Sequence, residues 1–351
     1  MSDYLKLTAY FAERLRHEGR FLSDALLDLF ADNAVHTSIV LRGIASFGPH
    51  HEFRSDQSLT LSEDSPITVA AVDTAAKIAQ LADAAAAMTS RGLVTLERAQ
   101  LAGPSATTPD TAKLTIYIGR QDRANGGPAY RAVCDVLHRH GFAGATVLLG
   151  VDGTARGQRM RARFLSRNIG VPVMIIAVGT ASRVSDALPE LESLLRDPLF
   201  TVERAQLCKR DGELLSRPAA LPLADDEGRA LWQKLMIYTS EAALHDGVPI
   251  HRAIVRALFE SRAARGATVL RGVWGFHGDH LPHGDAMFQL ARRVPVATIV
   301  VDSPDRIAHS FDIIDTITSR HGLVTSELVP ALVAVDDGTR RGGMGLARYR
   351  Y

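Results

Sequence analysis

The chain has 351 residues, of which 46% are hydrophobic and 23% are charged, a composition typical of a globular protein that is too long for one hydrophobic core. Its 40 lysines and arginines balance 39 acidic residues, so no overall field would attract nucleic acid or an anionic membrane. No apolar run approaches the roughly 20 residues that span a bilayer, the N-terminus lacks a secretion signal, and the two cysteines exclude a disulfide framework. We therefore expect a cytoplasmic protein that is not embedded in a membrane.

Four strand signals occur three times along the chain in the same order. The first begins at Lys6, Lys113 and Lys234, in the sequences KLTAY, KLTIY and KLMIY. The second strand follows each lysine after 32, 32 and 33 residues, at 38–43, 145–150 and 267–272. The third strand starts with a proline, at Pro66, Pro172 and Pro295. The fourth starts with glycine or proline, at Gly92, Pro198 and Gly322. This shared register identifies an internal repeat of about 100 residues.

Each repeat also contains two predicted amphipathic helices. Apolar residues recur at intervals of three and four between the first and second strands, as at Leu22, Leu26 and Leu29. The same period lies between the third and fourth strands, as at Ile307, Phe311 and Ile314. The order β-α-β-β-α-β is that of the ferredoxin-like arrangement, in which two helices cover one face of an antiparallel sheet.

The other face of each sheet needs a partner, because strands such as 296–301 are apolar on both sides. The remaining repeats are the obvious candidates, since one chain holds all three together. The predicted fold class is α+β, with three tandem ferredoxin-like domains packed as an intramolecular pseudo-trimer in a monomeric chain. The predicted domains are residues 1–102, 113–208 and 232–335, joined by linkers 103–112 and 209–231 and followed by a flexible, Gly- and Arg-rich tail, 336–351.

These motifs, most completely the GATVLRGVWGF sequence at 266–276 and the VLRGIASFG sequence at 40–48, resemble the bacterial family known as domain of unknown function 190. That family is grouped with PII-like proteins. The resemblance implies a regulatory protein that binds a small effector, commonly an adenine nucleotide, in clefts between repeats, and that acts on a transporter or enzyme partner. No further cofactor is implied. The candidate ligand-binding residues are Arg42, Gly43, Phe47, Gly48, Arg91, Arg271, Gly272, Phe276 and Arg320.

Two of these residues leave an alternative open. Arg42 and Arg271 end the second strand, where a guanidinium can hold a phosphate or carboxylate bidentately. They can equally form a salt bridge with an acid such as Asp73 or Asp302. The middle repeat has neither member of such a pair, since Leu149 stands at the arginine position and Gly179 at the aspartate position. The salt bridge is the favoured interpretation. Gly43, Gly150 and Gly272 end the second strand of each repeat, where glycine favours a role in backbone geometry, such as a bulge or a positive φ, over one in chemistry.

The long segments between the second and third strands differ most between the repeats. His277, His280 and His283 in the third repeat have ligand types suited to zinc or copper, although a solvated histidine-rich loop explains the same spacing. The middle repeat has five arginines between 156 and 167 instead. No catalytic motif is present, so we expect a binding protein and not an enzyme. The alternatives to a PII-like regulator are a CutA-like protein that binds divalent metals and an interaction scaffold without a small ligand.

Overall fold

The computed structural model describes residues 4–48, 53–55, 64–102, 111–159, 171–278, 280–284, 294–336 and 338–349. The predicted linker is therefore described only from residue 111, and the histidines at positions 50 and 51 lie outside the described residues.

Repeat 1 forms a four-stranded antiparallel sheet with its first strand in the interior. Its elements are β1 (Tyr4–Ala12), β2 (Arg16–His17), β3 (Arg20–Phe21), α1 (Leu22–Asp32), β4 (Thr37–Phe47), β5 (Phe53–Ser55), β6 (Pro66–Thr74), α2 (Ala75–Met88) and β7 (Gly92–Leu101). Strand β1 pairs with β6 on one side and β7 on the other, and β4 pairs with β6. The predicted strands and helices of this repeat all form.

Repeat 2 repeats this order of elements and pairings. Its elements are β8 (Thr111–Gly119), β9 (Arg123–Ala124), β10 (Gly127–Pro128), α3 (Ala129–Arg139), β11 (Gly144–Leu149), β12 (Asp152–Ala155), β13 (Gln158–Arg159), β14 (Pro172–Thr180), α4 (Ala181–Leu194) and β15 (Leu199–Arg204). Strand β8 lies between β14 and β15, and β11 pairs with β14.

Repeat 3 is preceded by a hairpin and followed by another. The elements are β16 (Gln206–Arg210), β17 (Glu213–Leu214), β18 (Trp232–Ser240), β19 (Leu244–His245), β20 (Val248–Pro249), α5 (Ile250–Ser261), β21 (Ala267–Arg271), β22 (Trp274–His277), β23 (His283–Gly284), β24 (Pro295–Asp302), α6 (Pro304–Ile317), β25 (Leu323–Val329), β26 (Ala331–Asp336) and β27 (Thr339–Gly343). Strand β18 lies between β24 and β25, as its counterparts do in the other repeats.

Four apolar cores account for the packing. Three of them lie mainly between the sheet and the helices of one repeat each. The fourth draws residues from all three repeats, including Ile39, Tyr117, Met174, Met236 and Ile299. The sheet faces that carry no helix are therefore buried against one another, as the two-sided apolar strands predict.

The repeats are also joined by strand pairs that close a cycle. Repeat 1 pairs with repeat 3 through β4 and β21, repeat 3 with repeat 2 through β22 and β11, and repeat 2 with repeat 1 through β12 and β4. The register is the same at each junction, as shown by the aligned pairs Ser46 with Thr268, Gly275 with Thr146 and Gly153 with Ile39. The chain is thus a mixed α/β protein whose repeats share one large antiparallel sheet.

The prediction of a flexible C-terminal tail is wrong for the described part of that segment. Strand β27 pairs with β26, which in turn pairs with β7 of repeat 1. Gly342 allows this close approach, because a Cβ there would lie 2.0 Å from the carbonyl oxygen of Leu332. Beyond the strand, Ala347 is fully buried and the Arg348 guanidinium donates to Glu227 at 2.9 Å. The glycines therefore permit tight packing here.

The predicted second linker is also partly structured. Strand β16 extends to Arg210 and pairs with β25, so residues 209 and 210 continue the sheet of repeat 3. Lys209 is fully buried and its ammonium donates to the carbonyl oxygen of Asp315 at 2.6 Å. None of the six helices in the described part of the chain combines the length and the apolar character needed to cross a membrane.

Candidate functional site

The junction of repeats 1 and 3 contains a cleft with a volume of about 370 Å³. Repeat 1 contributes the ends of β1 and β4 and the loop before β7, and repeat 3 contributes the starts of β18 and β21, the end of β24, and the C-terminal hairpin β26–β27. A volume of this size lies within the range of sites that enclose small molecules.

The lining of the cleft is apolar and aromatic at its walls and basic at three points. Tyr10, Phe47 and Trp232 supply aromatic surface. The basic residues are Arg91, Arg265 and Arg341, and the acidic ones are Asp302 and Asp336. The lining therefore carries one more positive than negative charge, which favours an anionic ligand.

The two acidic residues are already engaged. Asp302 is fully buried and accepts the backbone N–H groups of Arg265 and Ser303, both at 2.8 Å, and the Arg265 guanidinium at 2.6 Å. Asp336 lies 3.8 Å from the Arg91 guanidinium. Of the three arginines that line the cleft, Arg341 is exposed, on β27.

Three of the nine predicted ligand-binding residues line this cleft: Phe47, Gly48 and Arg91. Phe47 is buried, and its ring also makes an edge-to-face contact with Phe259 of repeat 3 at a centroid distance of 5.7 Å. Phe276 holds the equivalent place at the junction of repeats 3 and 2, where it is buried in the core of repeat 2, 5.1 Å from the His138 ring. Arg320 is exposed and does not line the cleft between repeats 1 and 3.

Arg42 and Arg271 form salt bridges, but not with the predicted aspartates. Arg42 pairs with Glu13, and Arg271 donates to Glu241 at 2.6 Å. Asp73 and Asp302 instead hold backbone N–H groups, as for Asp73 with the N–H groups of His36 and Thr74 at 2.8 and 2.6 Å. The middle repeat has replaced both members of the true pair, since the positions equivalent to Glu13 and Arg42 are Arg120 and Leu149.

Gly43 and Gly272 serve close packing between repeats. A Cβ at Gly43 would lie 2.8 Å from both Pro66 and the carbonyl oxygen of Val269, and one at Gly272 would lie 2.8 Å from Pro295 and 3.0 Å from the carbonyl oxygen of Val147. In each case the second contact belongs to the neighbouring repeat. The register also shifts between Val269 and Leu270, opposite Gly43.

A ring of six alternating charges lies where the three repeats meet. Its members are the lysines of the three first strands and the glutamates of the three fourth strands: Lys6, Lys113, Lys234, Glu97, Glu203 and Glu327. Lys6 and Lys234 each bridge two glutamates from different repeats, and Lys113 lies within 4.0 Å of all three. The distances between ammonium nitrogen and carboxylate oxygen include 3.1 Å for Lys6 to Glu97, 2.8 Å for Lys113 to Glu203 and 2.8 Å for Lys234 to Glu327.

Burial alone would raise the pKa values of Glu97 and Glu203, but the attraction of the lysines outweighs this effect. The pKa of Glu97 is held well below its usual value by Lys234, Lys6 and Lys113, and the pKa of Glu203 is lowered by Lys113 and Lys6. The glutamate oxygens lie within 4.8 Å of one another, a spacing that a metal ion can bridge. Here the three ammonium groups supply the balancing charge, so the cluster is a structural ion-pair network.

The other two junctions differ in chemistry from the first. The residue before the fourth strand is Arg91 in repeat 1, where it lines the cleft, His321 in repeat 3 and Asp197 in repeat 2. Asp197 pairs with Arg156 at 2.9 Å. His321 lies close enough to His277 to lower the pKa of that residue. The His277 ring centroid lies 5.6 Å from that of His280 and 6.2 Å from that of His283. The structure thus brings together the three histidines predicted as metal ligands.

Burial lowers the pKa of His277, and its surroundings act in both directions. The carboxylate of Asp211 raises that pKa, while His283, His280 and His321 lower it. His277 is thereby favoured in its neutral form at physiological pH.

Comparison with known proteins agrees with the repeat structure. The model of the family DUF190, described as Uncharacterized ACR, matches three times, at residues 4–101, 111–207 and 232–331. The chain belongs to the DUF190 family. It is also similar to the UPF0166 protein MJ1524 of Methanocaldococcus jannaschii, with 30% identity over 86 residues, or 24% of this chain and 78% of that protein. One DUF190 unit thus corresponds to most of that relative, and this chain carries three.

Several lining residues of the cleft lie outside the sequence predictions. Arg265 precedes the Gly-Ala-Thr motif by one residue, Trp232 opens a strand, and Arg341 belongs to the segment predicted as a flexible tail. The many arginines of that tail were the sequence feature that could have indicated a site for an anion. Its placement depends on the pairing of β26 with β7, which joins residues more than 230 positions apart.

Proposed function

We propose that this protein is a PII-like regulator, folded as an intramolecular pseudo-trimer of ferredoxin-like repeats, which binds an adenine nucleotide or a similar planar anion between repeats 1 and 3. The observation that carries the proposal is the convergence of Arg91, Arg265 and Arg341 on a cleft with aromatic walls. Guanidinium groups match phosphate oxygens bidentately, and aromatic side chains pack against a planar base. The proposal assigns no catalytic reaction and no resident cofactor.

The cleft is well placed to control a partner. It is built by two repeats, so a ligand that contacts both stabilises one arrangement of the junction. Gly48 lines the cleft and is followed in the sequence by the long segment between β4 and β6. We propose that occupancy is communicated through this segment to a transporter or enzyme.

We expect adenine nucleotides to raise the melting temperature of the full chain, because a ligand that binds only the folded state stabilises it by about 2.7 kcal/mol at 100 times its Kd. Replacement of Arg91 or Arg341 by alanine should weaken binding by roughly 10- to 100-fold, the range for a lost charge-assisted hydrogen bond. Thermal shift with ATP, ADP, AMP and inorganic phosphate, followed by calorimetric titration, measures both effects.

The matched control is Arg320→Ala, since Arg320 is an exposed arginine outside this cleft. Binding by this variant should equal that of the unaltered protein. The proposal fails if no nucleotide shifts the melting temperature, a result that would favour an interaction scaffold without a small ligand. The assignment to this cleft fails if Arg91→Ala and Arg341→Ala bind as tightly as the control.

A further inference from the structure

The junction of repeats 3 and 2 has a different polar lining from the cleft just described. His277 ends β22, which pairs with β11 of repeat 2, with His277 opposite Gly144. His283 begins β23, which pairs back on β22 through Gly275. The sequence spacing of the three histidines fits a solvated loop as well as a metal site. In the structure, however, two of them lie in paired strands.

The ring positions suit one shared metal ion. Zinc binds imidazole nitrogen at about 2.0–2.1 Å with tetrahedral geometry, which puts the centres of two bound rings roughly 5–6 Å apart. The observed separations are 5.6 Å between His277 and His280 and 6.2 Å between His277 and His283. In the described residues, no three histidine nitrogens lie within 4.8 Å of one another, whereas oxygens of the three ring glutamates do. Binding of one shared ion therefore requires the imidazole rings to rotate about their soft terminal torsions.

A backbone contact orients one of these rings for metal binding. The Nδ1 atom of His283 lies 2.9 Å from the carbonyl oxygen of Leu281. A carbonyl only accepts hydrogen bonds, so Nδ1 carries the proton and Nε2 keeps the lone pair that a metal needs. A hydrogen bond of this kind from the second nitrogen is the usual support for a metal-bound histidine.

A carboxylate stands beside the histidines. The backbone N–H of Asp211 donates to the carbonyl oxygen of Gly322 at 2.9 Å, which places Asp211 next to the loop that carries His321. On its other side is Gly278, the residue after His277, where a Cβ would lie 2.7 Å from the Asp211 carboxylate. A Cβ at position 278 would collide with this carboxylate, so glycine allows Asp211 to lie against the residue that follows His277.

We propose that His277, His280, His283 and Asp211 form a binding site for a borderline divalent cation of the zinc class at the junction of repeats 3 and 2. Three imidazoles and one carboxylate are a ligand set that zinc accepts. His321 stands at the position that Arg91 occupies in the anion cleft, so the two junctions present different ligand chemistry. The metal site does not depend on the proposed nucleotide site.

The test uses the full chain, freed of metal with a chelator and dialysed, and titrated with zinc in competition with a chromophoric indicator. One zinc ion per chain is expected, and cobalt should give the absorption of tetrahedral coordination. His277→Ala and His283→Ala should each weaken binding at least tenfold. The matched control is His309→Ala, because His309 is exposed on α6. Circular dichroism without metal establishes that each variant is folded.

Three results would overturn the metal site: no zinc bound by the unaltered chain, zinc affinity unchanged in both His277→Ala and His283→Ala, or loss of zinc only when Glu97 and Glu327 become glutamine. The third would locate the ion at the charge ring. Zinc binding that persists in Arg91→Ala, together with nucleotide binding that persists in His277→Ala, would show that the two sites are separate.

Discussion

Replacement of Lys113 by methionine is expected to lower the free energy of unfolding by about 3–5 kcal/mol, the range for removing one member of a buried ion pair. Lys113 is 1% exposed and lies within 4.0 Å of all three ring glutamates. Methionine has a similar shape, so the substitution removes charge while filling most of the volume. It leaves three buried carboxylates facing two ammonium groups, and the unpaired charge is the source of the cost. Urea denaturation at pH 7 measures the change.

The control for this experiment is Arg256→Met. Arg256 pairs with Glu260 at 3.5 Å on the exposed face of α5, and such surface pairs contribute about 0–1 kcal/mol. A loss below about 1 kcal/mol in Lys113→Met would contradict the role assigned to the ring. Lys113→Arg should also destabilise the protein, because the planar guanidinium cannot take the place of a compact ammonium between carboxylates.

Acidification is the second change with a large expected effect. The pKa values of Glu97 and Glu203 are lowered in the folded protein because the attraction of the lysines outweighs the effect of burial. A carboxyl group with a lowered pKa stabilises the fold above its unfolded pKa, about 4.3 for glutamate, and that contribution is lost as the pH falls below this value. Stability should therefore begin to decrease as the pH falls below about 5 and should continue to decrease as the pH falls through the lowered pKa values of the folded protein.

The measurement is the urea midpoint at a series of pH values, compared with that of the double variant Lys113→Met, Glu327→Gln. This variant removes one positive and one negative charge and keeps the ring balanced, so its stability should fall less on acidification. Equal pH dependence in the two proteins would show that the ring does not cause the acid sensitivity.

The ring also shows how much of the fold the sequence specifies. Its lysines mark the start of each repeat, and its glutamates hold equivalent places in the fourth strands. Only five lysines occur among the 40 basic residues, and three of them are in the ring. Repetition identified the lysine positions, but neither the role of the glutamates nor the point where the six residues meet, because a sequence pattern gives the order of strands and not the distance between repeats.

The candidate sites were predicted less completely than the repeats. Arg91 and Phe47 were found because they flank strands whose positions recur. Arg42 was assigned the wrong partner, because Glu13 lies in a turn that no strand or helix signal marks, whereas Asp73 lies near the end of a strand that the sequence predicts. Arg341 was missed because a stretch rich in glycine and arginine is compositionally like a disordered tail. Its order comes from long-range pairing with repeat 1.

The three junctions explain why one chain carries three repeats. In an assembly of identical subunits every junction would have the same lining, whereas here equivalent positions carry Arg91, His321 and Asp197. Fusion allows the side chains of the three junctions to differ while the strand register and the shared core stay the same.

The stoichiometry of nucleotide binding to the full chain tests this account most directly. Equilibrium dialysis or calorimetry with the tightest-binding adenine nucleotide should give one molecule per 38.0 kDa chain, bound between repeats 1 and 3 and lost in Arg91→Ala. Three molecules per chain would show that the junctions are equivalent, and no binding would show that the arginine-lined cleft serves another purpose; either result would contradict the account.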